Sequence, residues 1–296
     1  MEKGWYVIQT YSGYEQKIEK ILTKFMEKDP VFAQYCTGVN VPTEKVNVKN
    51  EKGELKIEER KILPKTSACS IAEFQDVFAK YFSEGYQIIF VSISSEFSSN
   101  FNNALVAAST FEGHENDFRG LDSRSLSSGI GLQLFKIKDD IDQGFSLEEV
   151  YSRALDRVDR VNAEFVVDTM DYLYKGGRCS SLSYYVGNIL SLHPIIRVEK
   201  GKMVVHKLSR GKLFKGMDFQ IQELRAQVEN DNVELDRVFV THSKNEEGAK
   251  YIKEKLSSFI DPSKIVITEA GCIVSSHCGK GTIGILYITK NIVIGA

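Results

Sequence analysis

The sequence predicts an α/β protein, two-lobed over residues 64 to 296, and three observations carry that reading. The run YQIIFVSIS at 86–94 is apolar on both faces and strand-length, as a strand covered on both sides of a parallel sheet must be. Helical patterns opened by Ser70 with Glu73 and by Ser146 with Glu149 precede such strands, so helix and strand alternate. Finally, 42% hydrophobic and 26% charged residues over a length of 296 are material for one large or two medium cores.

Taken in order, WYVIQT at 5–10 is a short β-type run and SGYE a break. Ile18, Ile21, Leu22, Phe25 and Met26 then recur at helical spacing through KIEKILTKFMEK. VNVPTEKVNV and ELKIEERKI alternate apolar with polar around the turn cluster NEKG, which predicts a hairpin and a βαββ order up to Pro64. Beyond Pro64, Ile71, Phe74, Val77, Phe78 and Phe82 form a helical stripe ahead of the 86–94 strand. SLEEVYSRALDRV reads as a helix leading into the strand FVVDT. TMDYLYK is a helical turn closed by KGGR, where Gly176 or Gly177 takes the left-handed cap. VEKGKMVVHKLSRGKLFKGM reads as a hairpin and its connector, and FVTHS, NEEGAKYIKEKL and KIVITEA as strand, helix and strand.

Several function classes are excluded. With 40 acidic against 38 basic residues the net charge is −2, so no overall basic field gathers nucleic acid or an anionic membrane. No apolar leader opens the chain and no stretch approaches 18 uncharged apolar residues, which predicts a cytoplasmic protein without stable membrane insertion. Cys36, Cys69, Cys179, Cys272 and Cys278 are scattered without a C-x-x-C pair, against both a disulfide framework and a zinc site. Cys69, Cys179, Cys272 and Cys278 read as small fillers. No metal and no cofactor is expected.

Hydroxyls gather where strands end or helices are expected to begin: Thr66 and Ser67; Ser92, Ser94, Ser95, Ser98 and Ser99; and Ser275 and Ser276 beside His277. Hydroxyls and helix N-terminal amides suit a carboxylate or phosphate, because each donates a hydrogen bond without burying an opposing charge. Helix capping is the plain alternative for each serine. SSHCGKGTIG is glycine-rich, but Gly281 after Lys280 breaks the phosphate-loop pattern. His277 paired with a serine would be the core of an acyl hydrolase; no G-x-S-x-G elbow is present and no carboxylate is placed to orient the ring.

With these segments in view, residues from about 64 onward resemble the DegV family of bacterial fatty-acid-binding proteins. The resemblance rests on KTSACS, SISSEFSSNFNNA, LDSRSLSSGIG, FVVDTMDYLYKGGR, GNILSLHPII and SSHCGKGTIGI, in the family's order. It implies a mostly parallel sheet in a first lobe, 64–164, and an α+β second lobe, 165–296. It also implies that one long-chain fatty acid lies between the lobes, and that a separate fatty-acid kinase receives its carboxylate. The protein itself would then be a carrier without catalytic residues. The carboxylate contacts implied are Thr66, Ser67, Ser94, Ser95, Ser98, Ser276 and His277, with Arg178 meeting the kinase or the phosphate. The chain departs from the family pattern at Ala68 and Cys69, at Ser99 and Asn100, and at Lys280.

The family opens with a strand ending in Asp-Ser, and no such motif precedes Thr66. WYVIQTYSGYE, VPTEKV and ERKILP instead resemble the start of the transcription factor NusG over residues 1–63. That segment either stands in for the first strand and helix of the carrier or is an appendage joined to it as a chimera. Binding RNA polymerase through it would be the transcription-associated alternative. The segment lacks the second helix and further strand of such a domain, which argues against that partner.

Overall fold

The computed structural model describes residues 15–28, 30, 43–49, 55–61, 66–177 and 192–292. The chain divides into two units, residues 1–66 with 271–276 and residues 67–270 with 277–296. In the first unit, helix α1 (Glu15–Lys28) is followed by strands β1 (Thr43–Lys49) and β2 (Leu55–Lys61). The two strands form an antiparallel hairpin with Thr43 opposite Lys61 and Lys49 opposite Leu55. Helix and hairpin stand where the apolar spacing and the NEKG cluster predict them. The strand expected at 5–10 lies outside the described residues.

The second unit begins with helix α2 (Ile71–Ser83), strand β3 (Ile88–Ser92), helix α3 (Asn100–Ala108) and strand β4 (Phe118–Asp122). Helices α4 (Ser128–Asp142) and α5 (Leu147–Val158) follow. Strands β3 and β4 pair in parallel, Ile88 opposite Phe118 and Ser92 opposite Asp122. Side chains alternate along a strand, so β3 serves two cores at once. Ile88 and Phe90 pack with Phe78 and Phe82 of α2 and Ala104 and Ala107 of α3. Ile89 and Val91 pack with Ile137 of α4 and Val150, Ala154 and Val158 of α5. This is the doubly covered parallel strand the apolar run predicts. The stripe on α2 is narrower than predicted: Phe78 and Phe82 are buried, whereas Val77 stays 50% exposed and Ile71 37%.

Both predicted capping boxes form. Ser70 Oγ accepts from Glu73 N at 3.2 Å while Glu73 Oε2 accepts from Ser70 N at 2.7 Å. Ser146 and Glu149 repeat the exchange at the start of α5.

The larger sheet comprises β5 (Val161–Val166), β6 (Leu192–Glu199), β7 (Lys202–Arg210), β8 (Val238–His242), β9 (Ile265–Glu269) and β10 (Ile283–Ile288), in the order β7-β6-β5-β10-β8-β9. Only the β8–β9 pairing is parallel among the described strands of this sheet. Helix α6 (Asp171–Lys175) follows β5, helices α7 (Phe214–Glu229) and α8 (Glu246–Leu256) flank β8, and helix α9 (Cys272–Cys278) precedes β10. Alternation again sets the layers. Ile283, Ile285 and Tyr287 of β10 join Met217, Ile221 and Leu224 of α7 and Ile252 and Leu256 of α8. Leu286 and Ile288 face the other way, onto Leu132 of α4. Helix α4 therefore packs on both sheets, through Ile137 on one side and Leu132 on the other. The lobe boundary expected between residues 164 and 165 falls inside β5. Among the described residues, no helix is long and apolar enough to cross a membrane.

Candidate functional site

Strand β3 ends at Ser92, and the chain crosses SISSEFSS to reach α3. Ser94 is fully buried in that loop. Its amide donates to Ser125 O at 2.9 Å, its hydroxyl donates to Gly201 O at 2.7 Å, and its oxygen accepts from Glu96 N at 3.3 Å. Ser95 Oγ donates to Asp122 Oδ2 at 2.6 Å, at the end of the neighbouring parallel strand. Both hydroxyl protons are thus committed within the protein.

Ser98 differs. Its oxygen accepts from Asn100 N at 3.3 Å, and among the described residues its hydroxyl has no acceptor. Ser99, the residue before α3, makes no side-chain cap. The segment carrying Ser67 is tied to the same helix start. Cys69 N donates to Asn100 Oδ1 at 2.8 Å, and Asn103 Nδ2 donates to Cys69 O at 2.7 Å. Ser67 is exposed and, among the described residues, has no hydrogen-bonding partner. Thr66 is half-buried and belongs to the other unit. Cys69 is exposed rather than a buried filler, and Cys272 is half-buried; among the described cysteines only Cys278 is buried. Burial pushes its thiol up to about 11, so it stays protonated. Cys36 and Cys179 lie outside the described residues.

Ser276 and His277 occupy the last turn of α9, neither a strand end nor a helix start, the two places expected for such hydroxyls. The C-terminal end of a helix carries the negative pole of its dipole, so the backbone there offers an anion nothing. Ser276 Oγ donates to Ile273 O at 2.8 Å, one turn back. His277 lies against the end of α6: a Cβ at Gly176 would overlap its Nδ1. Gly177, with φ +69°, takes the left-handed position. Arg178 follows directly and lies outside the described residues.

Sequence spacing does not find Gly201 or Asp122, because they meet the serine loop across 107 and 27 residues. Nor does it single out Ser125, whose buried Oγ has no hydrogen-bond partner among the described residues, as is also true of Ser92 Oγ.

On the face of the large sheet toward α7, Arg197 Nη2 donates to Glu164 Oε2 at 2.7 Å and also to Glu223 Oε2. His206 Nε2 stands 3.1 Å from Glu223 Oε1. Glu164 is 2% exposed. Burial pushes its carboxyl up to about 8 against the pull of Arg197. Glu164, His206 and Glu223 are close enough to share a cation, but the Arg197 guanidinium already supplies the countercharge. Its contacts are structural, joining α7 to β5, β6 and β7.

The family model described as "Uncharacterised protein, DegV family" matches residues 40–290. The match takes in the hairpin β1–β2, so residues 40–63, expected to resemble NusG, lie within the DegV family's span. A DegV domain-containing protein of Clostridium acetobutylicum is 28% identical over 234 residues, covering 79% of this chain and 81% of its own. A protein of Thermotoga maritima named fatty acid-binding protein is 27% identical over 258 residues, covering 86% and 88%. The solved structure of a fatty-acid-binding DegV family protein from Thermus thermophilus superposes with a TM-score of 0.68 at 24% identity, over 84% of this chain and 91% of that one.

Proposed function

The chain belongs to the DegV family, and on that premise we propose that it is an intracellular carrier holding one long-chain fatty acid and presenting the carboxylate to a separate fatty-acid kinase. The observation that supports the reading is the clamp of Cys69 on Asn100 and Asn103, which ties the segment carrying Ser67 to the start of α3, a helix that opens two residues after Ser98. We assign the hydroxyls of Ser67 and Ser98 to the carboxylate, since a helix N-terminus with hydroxyl donors suits an anion. Family membership supplies the ligand class, since a relative over most of the chain is named for fatty-acid binding.

The energetics suit a lipid. At about 0.8 kcal/mol per CH₂, a C16 tail contributes on the order of 10 kcal/mol before ordering costs. The polar contacts then need only orient the head group. Thr66, Ser67, Ser94, Ser98 and His277 are assigned to contact with the carboxylate, Ser94 once its proton leaves Gly201 O. Ser95 and Ser276 shape the loops that present it, and Arg178 is assigned to the kinase or the phosphate. The Ser/His hydrolase reading loses ground because Ser94, Ser95 and Ser276 direct their protons to Gly201, Asp122 and Ile273 rather than to an imidazole. The transcription reading rests on residues 1–63, of which the family match claims those from 40 onward.

Titration of delipidated protein with a fluorescent long-chain acid tests the carrier reading. Saturable uptake at one acid per chain is expected, displaced by oleate. Adding a fatty-acid kinase with ATP is then expected to yield acyl phosphate from the bound acid. No uptake by folded protein would refute the reading.

A further inference from the structure

The tip of the β6–β7 hairpin covers the serine loop. Glu199 pairs with Lys202, leaving Lys200 and Gly201 as a two-residue turn with φ +48° and +83°. Positive φ at both positions is the type I′ hairpin turn, and glycine is the residue that adopts it freely. Gly201 is buried, and a Cβ there would stand 2.7 Å from Ser94 Oγ, 3.6 Å from Glu96 Cγ and 3.7 Å from Arg124 Cβ. Lys202 adds an ion pair to Glu96 at 3.6 Å.

Ser94 has one hydroxyl proton, and Gly201 O holds it at 2.7 Å beneath a tip that leaves the side chain fully buried. An ionised carboxylate only accepts hydrogen bonds. It gains a bond from Ser94 only if Gly201 O gives the proton up, and it reaches the hydroxyl only if the tip withdraws.

We propose that Gly201 is a positioning residue of the carboxylate subsite, and that its carbonyl and the acid's carboxylate compete for the Ser94 hydroxyl proton, so that acid binding unlatches the β6–β7 tip. The inference rests on the carrier reading and adds to it a coupling between head-group occupancy and a surface hairpin. Such a tip would tell a partner protein whether the carrier is loaded.

The test compares oleate affinity and amide exchange in the full chain, Gly201→Ala, Ser94→Ala and the double variant. In the full chain, saturating oleate is expected to speed exchange of the Gly201 and Lys202 amides. Gly201→Ala displaces the tip from Ser94 and is expected to tighten oleate binding by about three- to tenfold, the equivalent of one neutral hydrogen bond released. The same substitution is expected to change nothing when Ser94 is already alanine. Unchanged or slowed exchange at the tip on oleate binding overturns the proposal, and that measurement does not depend on any variant folding. So does a Gly201→Ala affinity equal to or weaker than that of the full chain. Absence of oleate binding by the full chain would instead fail the carrier reading itself.

Discussion

A hydroxyl gives one proton, and at this site the direction of that proton separates residues of identical type. Ser94, Ser95 and Ser276 spend theirs on Gly201, Asp122 and Ile273, whereas Ser67 and Ser98 have no acceptor among the described residues. Ser67→Ala and Ser98→Ala are each expected to weaken oleate binding by roughly tenfold or more, the worth of a hydrogen bond to a charged group. Stability should change little. Ser95→Ala should instead lower stability first, because it removes the hydroxyl donor to Asp122 Oδ2 and leaves Asp122 only its backbone donors, Ser95 N and Arg124 N. Equal affinity losses across all three serines in an isothermal titration would contradict this sorting. The sequence shows the hydroxyls as a cluster but not their bonds, since Gly201 lies 107 residues from Ser94. The exposure of Cys69 was equally hidden, because it follows from the clamp by Asn100 and Asn103.

At the scale of elements, local rules were legible wherever a local rule decides the outcome. The capping boxes at Ser70 and Ser146, the left-handed Gly177 and the β6–β7 hairpin all form as their spacing predicts. Helix α9 was not legible, because SSHCG reads equally as a loop or as a last helical turn. The buried charges where α7 meets the sheet carry a pH prediction. Glu164 has its carboxyl raised to about 8, above the ordinary carboxylate value near 4.3. The folded chain therefore binds that proton more tightly than the unfolded chain. The associated stability is fully present below the ordinary value and falls as pH rises toward 8. Arg197, Glu223, His206 and Tyr287 face the same carboxyl. Urea midpoints measured from pH 5 to 8 should decline for the native chain and decline less for Glu164→Gln. Parallel curves would show that the Arg197 contact outweighs burial.

The second unit has the α/β plan the sequence predicts in its parallel β3–β4 pair, covered by helices on both faces, and its larger sheet is of mixed direction with helices on each side. That helix α4 packs on both sheets was not legible, because nothing in a run of alternating apolar residues shows it. Motif order carried the function further than composition did, since a net charge of −2 and ordinary hydrophobicity exclude partners without naming one. The account turns on a bound acyl chain. The most direct measurement is mass spectrometry of an organic extract of protein purified under native conditions, quantified per chain. The account predicts one long-chain fatty acid per chain, retained through purification and exchangeable with added oleate. A folded protein that yields no fatty acid and takes up none would contradict it.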